Sequence, residues 1–498
     1  MEQWAELGRA LNAVTASGTA EVREDGEWLA DLATARCELS HVGRAPIVHL
    51  WSDKCNLTRR IVSVREHSDD RIILEVQRFG RTKPIKLEIL RGESPRPVAR
   101  VSREQFRARL RRTLAEQFPD ATIESLTIAQ NLEHSFSGLY VRGWMREGSR
   151  AWALMAVSPS ESATAIEGML AFGLLWLDFS RNRSSLRAIE GLRLFVPDGK
   201  SRPLRERILA LNNAARTEIF EFREPDGRMQ KMDLADAGNL EGRVIARIEA
   251  DAKLEAAREA FAQIPTLAMA DAIFRTACRM RLLAGTDEVA LCFRGLEFAR
   301  HTPAGVVFGV AEDREPFTAT TRPSLEWLLR QLDVHRSALA GDTTHRLYRA
   351  APEKWLETMV QGDPSRLDAQ LDLKHIYSQI PALAGADRGV IDLLAVTRRG
   401  RLVVIELKAS EDLQMPIQAV DYWLRVRRHQ REGDFERLGY FSGTKLDPQP
   451  PLLWLVAPGL RFHPAIDTLV KYLSPEISVA RIGVNENWRR GIHVVLRQ

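Results

Sequence analysis

Two short apolar runs joined by a polar turn constrain the fold more than any other part of the sequence. Residues 390–396 and 402–407 each have the composition of a buried strand, and the second run is apolar on both faces, as in a central strand. Residues i and i+2 of a strand point the same way, so Glu406 and Lys408 share a face. Asp392 lies on the preceding run. Charges in such an apolar hairpin are costly unless they serve a purpose, and an edge-strand salt bridge is the alternative interpretation.

This hairpin resembles the motif of the PD-(D/E)XK nuclease superfamily, which has the restriction-endonuclease-like fold. In that motif an acid on one strand precedes (D/E)-x-K on the next strand. Asp392 matches the first acid, Glu406 the second acid and Lys408 the lysine, and Gly389 precedes Asp392 in the G-h-h-D form common in the superfamily. The resemblance implies a mixed sheet flanked by helices, and it covers the C-terminal part of the chain only, roughly residues 345–460.

Two flanking helical segments extend the resemblance. Gln418 and Tyr422 fit the Q-x-x-x-Y extension of RecB-like members and lie one turn apart on a helix face. Upstream, Glu357 matches the family's helical acid, although Glu353 competes for that role. Core packing is the alternative interpretation of Tyr422, because Trp423 adjoins it.

The resemblance implies a role for each of these residues. Asp392 and Glu406 are hard oxygen donors suited to Mg²⁺ or Mn²⁺, and the backbone carbonyl of Leu407 is placed to add another oxygen. Glu357 would complete the metal shell directly or through water. Lys408 would orient the attacking water or stabilise negative charge in the transition state.

The same helix carries candidate substrate-binding residues. Gln418 and Tyr422 would hold the phosphate or the lysine in place. Arg425 and Arg428, together with two further arginines of this helix, could follow a phosphate backbone. A solvated basic helix face is the alternative interpretation of the arginines.

Length and composition predict a multidomain α/β protein. The 498 residues exceed one core, and we expect a β-rich N-terminal domain (1–98), an α/β domain (99–225), a mainly helical linking region with a β-hairpin (226–342) and a nuclease-like domain (343–498). The net charge of +5 permits a polyanionic partner. Four scattered cysteines and the absence of a basic, apolar leader predict a cytoplasmic protein with no membrane partner.

An upstream segment echoes the layout of the hairpin and the helix that follows it. Residues 138–177 align with residues 389–428 without a gap, in the order glycine, strand, turn, strand, loop and helix. The chemistry is missing, because Val141, Met155 and Val157 align with Asp392, Glu406 and Lys408. This predicts a degenerate, inactive copy of the nuclease-like domain, with chance similarity of two α/β sheets as the alternative.

Together these observations predict a Mg²⁺- or Mn²⁺-dependent nuclease that hydrolyses phosphodiester bonds. The resemblance favours DNA over RNA as the substrate. Two alternatives stay open: a non-catalytic nucleic-acid-binding or assembly subunit, and a nuclease of a defence system that a protein partner activates. The sequence contains no phosphate-cradling Gly-x-x-x-x-Gly-Lys-Ser/Thr loop and no Gly-x-Ser-x-Gly elbow, which excludes those two classes of enzyme.

Overall fold

The computed structural model divides into two compact units, each built from two separate stretches of the chain. The first unit comprises residues 1–100 and 250–355, and the second comprises residues 101–249 and 356–498. The four predicted segments therefore group in pairs, through contacts between distant parts of the chain. The structure describes residues 2–16, 20–32, 36–42, 45–51, 56–77, 84–91, 95–129, 136, 138–183, 188–223, 227–234, 250–268, 270, 272–283, 286–311, 313–384 and 387–498.

The N-terminal segment is a helix followed by an antiparallel sheet. Its elements are α1 (Glu2–Ala16), β1 (Ala20–Glu24), β2 (Glu27–Asp31), β3 (Arg36–Val42), β4 (Ala45–Trp51), β5 (Asn56–His67), β6 (Arg71–Gln77) and β7 (Ile85–Arg91). The seven strands follow the order β2-β1-β7-β6-β5-β4-β3. Leu7, Leu11 and Val14 form the buried face of α1, because apolar residues recur there at helical spacing.

A mixed sheet with flanking helices follows. Its elements are α2 (Pro95–Gln117), β8 (Ala121–Thr127), β9 (Tyr140–Glu147), β10 (Arg150–Val157), α3 (Ala163–Arg183), β11 (Ile189–Pro197), α4 (Arg202–Ile208), β12 (Thr217–Arg223) and β13 (Arg228–Lys231). Phe106, Leu110 and Leu114, which recur every four residues, are buried on α2. This helix begins at Pro95, four residues before the predicted domain boundary at residue 99, and proline is favoured in the first helical turn.

Residues 250–335 contain more strand than the sequence suggested. Their elements are α5 (Ala250–Ala262), α6 (Pro265–Ala268), α7 (Ala272–Ala277), β14 (Cys278–Leu282), β15 (Val289–Phe293), β16 (Leu296–Thr302), β17 (Gly305–Val310), β18 (Asp313–Pro316) and α8 (Arg322–His335). The expected hairpin of β15 with β17 is wrong: β16 lies between them in a five-stranded antiparallel sheet. Glu297 and Arg300 on β16 form an ion pair. These two charged residues interrupt the apolar pattern by which a strand is recognised in the sequence. Residues 235–249 of the predicted mainly helical linking region lie outside the described residues.

The C-terminal segment forms a second mixed sheet. Its elements are α9 (Arg346–Arg349), α10 (Pro352–Gly362), β19 (Leu371–Ala384), β20 (Asp387–Thr397), β21 (Leu402–Leu407), α11 (Met415–Glu432), α12 (Asp434–Arg437), β22 (Leu452–Pro458), α13 (Ile466–Lys471), β23 (Ser478–Val484) and β24 (Val494–Arg497). The strands follow their sequence order from β19 to β24. As predicted, β21 is an interior strand, between β20 and β22.

The two mixed sheets of the second unit share one topology. We call residues 101–231 the N-lobe and residues 356–498 the C-lobe. In each sheet the six strands follow sequence order, and successive pairs are antiparallel, antiparallel, parallel, parallel and antiparallel. α3 and α11 both join the third strand to the fourth, whereas α4 and α13 both join the fourth to the fifth.

One hydrophobic core runs through both lobes, and α3 lies in it. This core joins buried residues of α3, β10 and β11 to buried residues of α11, β21 and β22. By length and composition alone, α3 could cross a membrane. However, 67% of its most apolar window is buried inside the protein, which is typical of a core helix.

Candidate active site

The strand pair β20–β21 brings Asp392, in the middle of β20, beside Glu406, near the end of β21. The last paired residues of the two strands are Leu393 and Ile405, so Asp392 and Glu406 come one step further along. The turn of this hairpin contains Gly400, at a φ of +88°, and a Cβ there would lie 2.1 Å from the carbonyl oxygen of Lys445. The hairpin therefore needs glycine in its turn, and the turn fixes which residues face each other.

A hydrogen bond fixes the carboxylate of Asp392 beside the end of β21. The backbone N–H of Leu407 donates to Oδ2 of Asp392 at 3.0 Å. Glu406 and Lys408 flank Leu407 in the chain, so this one bond ties the first acid of the motif to the second strand. The side chain of Asp392 is half-buried, whereas Glu406 is only 2% exposed.

Lys408 lies between two carboxylates. Its Nζ is 3.3 Å from Oε1 of Glu406 and 3.3 Å from Oδ2 of Asp412. The side chains of Lys408 and Glu406 are 15% and 3% exposed, so water screens this pair poorly. Sequence reasoning missed Asp412, because it lies in the loop after β21, where spacing carries no signal.

The hydroxyl of Tyr422 lies near all three charged residues of the motif, and their charges affect its pKa. Burial raises the pKa of the Tyr422 hydroxyl well above its ordinary value, and the carboxylates of Glu406 and Asp392 raise this pKa further, against an opposing effect of Lys408. The phenol therefore stays protonated and can donate a hydrogen bond. Tyr422 also packs against the main core, as the core-packing interpretation expected. Gln418, half-buried one turn earlier on α11, shares its helix face.

Glu357 is a buried carboxylate on α10. It is 6% exposed, whereas its competitor Glu353 is half-buried one turn earlier. Burying a charged acid costs more free energy than half-burying it unless partners compensate the charge. The burial of Glu357 therefore favours it over Glu353 as the helical acid of the motif. Within the described part of the chain, Glu357, Asp392 and Glu406 do not form a group whose ligand oxygens all lie within 4.8 Å of one another.

A different trio meets that distance criterion, at the end of α11. His429, Glu432 and Asp434 bring their ligand atoms within 4.8 Å of one another. The residues already have partners: His429 Nδ1 lies 2.6 Å from Asp434, Arg437 also pairs with Asp434, and Arg428 pairs with Glu432 at 2.9 Å. The guanidinium groups of Arg428 and Arg437 would repel a bound cation. We therefore interpret this cluster as a set of interactions that stabilises the end of the helix.

The pKa of Asp434 supports the same interpretation. Burial by itself would raise this pKa, but hydrogen bonds from His429 and Arg437 outweigh it and hold the pKa below its ordinary value. The carboxylate is therefore ionised and compensated by protein groups. His429 lies in the last turn of α11, which ends at Gly433 in the left-handed conformation. At this end of a helix the dipole favours positive charge.

The predicted phosphate-binding arginines are largely engaged with acids. Arg428 pairs with Glu432 on the same helix, and Arg427 and Arg431 both pair with Glu476. Arg425 is half-buried on α11. Surface pairs of this kind are worth at most about 1 kcal/mol, so a phosphate could displace the acids, but the arginines are not a pre-formed anion site.

The positions equivalent to the motif in the N-lobe carry neither a carboxylate nor a lysine. Met155 and Val157, equivalent to Glu406 and Lys408, are fully buried. The residue opposite Met155 is Arg142, not Val141 as the gapless alignment suggested, because the β9–β10 turn is shorter than the β20–β21 turn. Arg142 packs its guanidinium over the Phe136 ring at 5.0 Å, and burial lowers its pKa to about 10.

Comparison with known proteins does not assign the chain. No family model matches the sequence, and no curated protein matches it. The donor set itself fits a hard divalent cation, because the half-buried carboxylate of Asp392 and the buried carboxylate of Glu406 come from neighbouring strands. The backbone carbonyl of Leu407 adjoins them in the chain. Oxygen ligands of this kind are those that Mg²⁺ and Mn²⁺ prefer.

An ion pair from the N-lobe anchors the helix that carries Gln418 and Tyr422. Nε of Arg207 donates to Oδ1 of Asp421 at 2.9 Å, and its Nη2 donates to Oδ2 at 2.6 Å. The side chains of Arg207 and Asp421 are 9% and 19% exposed. This bidentate geometry fixes α11 next to the predicted site.

Replacing Arg207 with alanine should therefore cost about 3 kcal/mol of unfolding free energy, because it leaves a half-buried carboxylate without its cation. The measurement is urea unfolding of the full chain, followed by circular dichroism. Arg202→Ala, on the same helix, is the matched control: its pair with Glu206 is 3.7 Å long and half-exposed, so we expect a change below about 0.5 kcal/mol. Equal effects of the two substitutions would contradict the anchoring role.

Proposed function

We propose that this chain is a metal-dependent nuclease that hydrolyses phosphodiester bonds in DNA, with its active site in the C-lobe. The observation that carries the proposal is the convergence of Asp392, Glu406 and Lys408 where β21 ends beside the middle of β20. The Leu407 N–H to Asp392 bond of 3.0 Å and the Lys408–Glu406 distance of 3.3 Å define this convergence. The topology of antiparallel and parallel strands with α11 against β21 supports a restriction-endonuclease-like fold.

Each residue has a role that its surroundings support. Asp392 and Glu406 would hold a divalent cation, with Glu357 completing the shell through water. When bound, such a cation polarises the phosphate and lowers the pKa of an attacking water. The Lys408 ammonium would leave its carboxylate partners to stabilise the charge that develops on the phosphate. The protonated Tyr422 hydroxyl and the Gln418 amide would donate hydrogen bonds to phosphate oxygens.

DNA as the substrate and the cytoplasm as the location rest on the sequence alone. The resemblance of the motif favours DNA over RNA. The net charge of +5 and the arginines of α11, Arg425 and Arg428 among them, support a polyanionic substrate.

The test is a cleavage assay on the full chain with Mg²⁺ or Mn²⁺, using single- and double-stranded DNA and RNA. Substitutions that merely reorient metal ligands cost about 10- to 100-fold, so Asp392→Asn, which removes a predicted ligand charge, should lower the cleavage rate at least about 100-fold. Asp467→Asn is the matched control, because Asp467 is 69% exposed on α13.

Two outcomes separate this proposal from a non-catalytic binding subunit. Mn²⁺ should raise the melting temperature of the wild-type chain and should not raise that of Asp392→Asn, because only a folded site binds the ion. Binding of DNA without cleavage in any metal, together with unchanged melting, would favour the binding subunit. Cleavage at the wild-type rate by Asp392→Asn would refute the assignment of the site.

A further inference from the structure

The two lobes of the second unit contact each other through equivalent elements. α3 of the N-lobe packs against α13 of the C-lobe, and α11 of the C-lobe packs against α4 of the N-lobe. Because α3 corresponds to α11 and α4 to α13 in the shared topology, each contact occurs twice with the roles exchanged. Such reciprocity defines an isologous interface, in which the same surface of both partners meets across a two-fold axis.

Backbone hydrogen bonds between the segments that follow α4 and α13 are reciprocal in the same way. The N–H of Asn212 donates to the carbonyl of Tyr472 at 2.9 Å, and the N–H of Ser474 donates to the carbonyl of Ala210 at 2.7 Å. The residues between these partners form an antiparallel bridge. In each lobe the segment lies between the short helix and the fifth strand, so each segment pairs with its own counterpart.

Charged side chains follow the same exchange. Arg207 on α4 pairs with Asp421 on α11 at 2.6 Å, and Lys471 on α13 pairs with Asp178 on α3 at 3.0 Å. The hydroxyl of Tyr472 also donates to Asp178. In both directions a basic residue of the short helix holds an aspartate on the long helix of the other lobe. The second unit is thus arranged as a dimer whose two subunits lie within one chain.

This two-fold arrangement contains one candidate site instead of two. The C-lobe carries Asp392, Glu406 and Lys408, whereas the equivalent positions of the N-lobe include the fully buried Met155 and Val157. These apolar side chains are part of the hydrophobic core that runs through both lobes. Met155 and Val157 offer no oxygen or nitrogen ligand, and Arg142, opposite Met155, is itself a cation, so these three positions supply no carboxylate to a metal ion.

We infer that the chain cuts one strand of duplex DNA in each binding event and releases a nicked duplex. The inference rests on the proposed nuclease function. The two strands of a duplex are related by local two-fold axes, so a two-fold protein with two sites addresses both strands, whereas one site addresses one strand. In the reaction, water adds its hydroxyl to phosphorus as the P–O bond to one sugar breaks, and the leaving sugar oxygen takes the proton.

The test is a time course on supercoiled circular duplex DNA with Mn²⁺, with the full chain at a lower concentration than the DNA. Nicked circles should accumulate first, and linear DNA should appear only after a lag, at the level that independent second nicks predict. Linear DNA that forms together with the first nicked circles would overturn the inference but leave the nuclease proposal standing. The absence of any cut in Mg²⁺ and Mn²⁺ would overturn the nuclease proposal, and the inference with it.

A mixing experiment excludes double-strand cleavage by two chains acting together. Wild-type chain at constant concentration is mixed with increasing amounts of Lys408→Ala chain. If one chain acts alone, the ratio of linear to nicked DNA at equal extent of cleavage should not change. A fall of this ratio with added inactive chain would show that two active chains combine on one duplex, and would overturn the inference.

Discussion

Lys408→Ala should lower the rate of metal-dependent DNA cleavage by about 10²- to 10³-fold, the usual cost of removing one group that stabilises transition-state charge. The Lys408 ammonium lies 3.3 Å from Glu406 and is 15% exposed, so few water molecules could replace it. The substitution removes no predicted metal ligand. We therefore expect the rate constant of the bound complex to fall while Mn²⁺ still raises the melting temperature.

Two variants accompany the Lys408 substitution in the same assay. Lys445→Ala is the matched control, because Lys445 is an exposed lysine of the same lobe and should leave cleavage unchanged. Asp412→Asn removes the second partner of Lys408, and it should change the rate less than Lys408→Ala because Asp412 is 28% exposed. Loss of metal-induced stabilisation in Lys408→Ala would show that the lysine organises the metal site, which would contradict its proposed role.

Arg336→Leu should destabilise the first unit by at least about 3 kcal/mol, because a buried carbonyl that loses its donor costs about 1–3 kcal/mol and several would lose it together. Arg336 is fully buried at the end of α8. Its guanidinium lies over the Trp355 ring at 4.8 Å. It donates to the backbone carbonyls of Phe293, Arg294, Leu347, Ala350 and Ala351.

The measurement for Arg336→Leu is urea unfolding combined with hydrogen exchange of peptides from β15 to β17. Arg330→Leu is the matched control, because Arg330 is exposed on the same helix and should change stability by less than about 0.5 kcal/mol. Arg336→Lys tests the geometry: lysine keeps the charge but lacks the planar five-donor fork, so it should recover only part of the loss. A fully stable Arg336→Leu chain would contradict this account.

Local patterns allowed the predicted active site to be assembled from the sequence. The alternation and turn of β20 and β21 place Asp392 opposite Glu406, and the spacing of Glu406 and Lys408 puts both on one face. Each of these relations spans few residues, so the chain's own geometry imposes it. The same reasoning missed Asp412, because a polar loop residue carries no periodic signal even when it lies near the site.

Relations between distant segments did not follow from such patterns. Arg207 and Asp421 are 214 positions apart, and nothing in either helix alone pairs them. The mainly helical prediction for residues 226–342 failed at β16, where Glu297 and Arg300 interrupt the apolar pattern and are compensated only by folding. The gapless alignment of the lobes misplaced Val141, since turn length is set by strand pairing.

By itself, the sequence determined the strands and helices with strong periodicity, the charged motif of the C-lobe and the absence of that motif from the N-lobe. These features depend on neighbouring residues, whose relative positions the backbone fixes. Only the tertiary structure decided that α3 is a core helix, that distant stretches form common units and that the lobes meet reciprocally through α4 and α13. Such contacts depend on the free energy of burying whole surfaces together, which no local pattern of residues encodes.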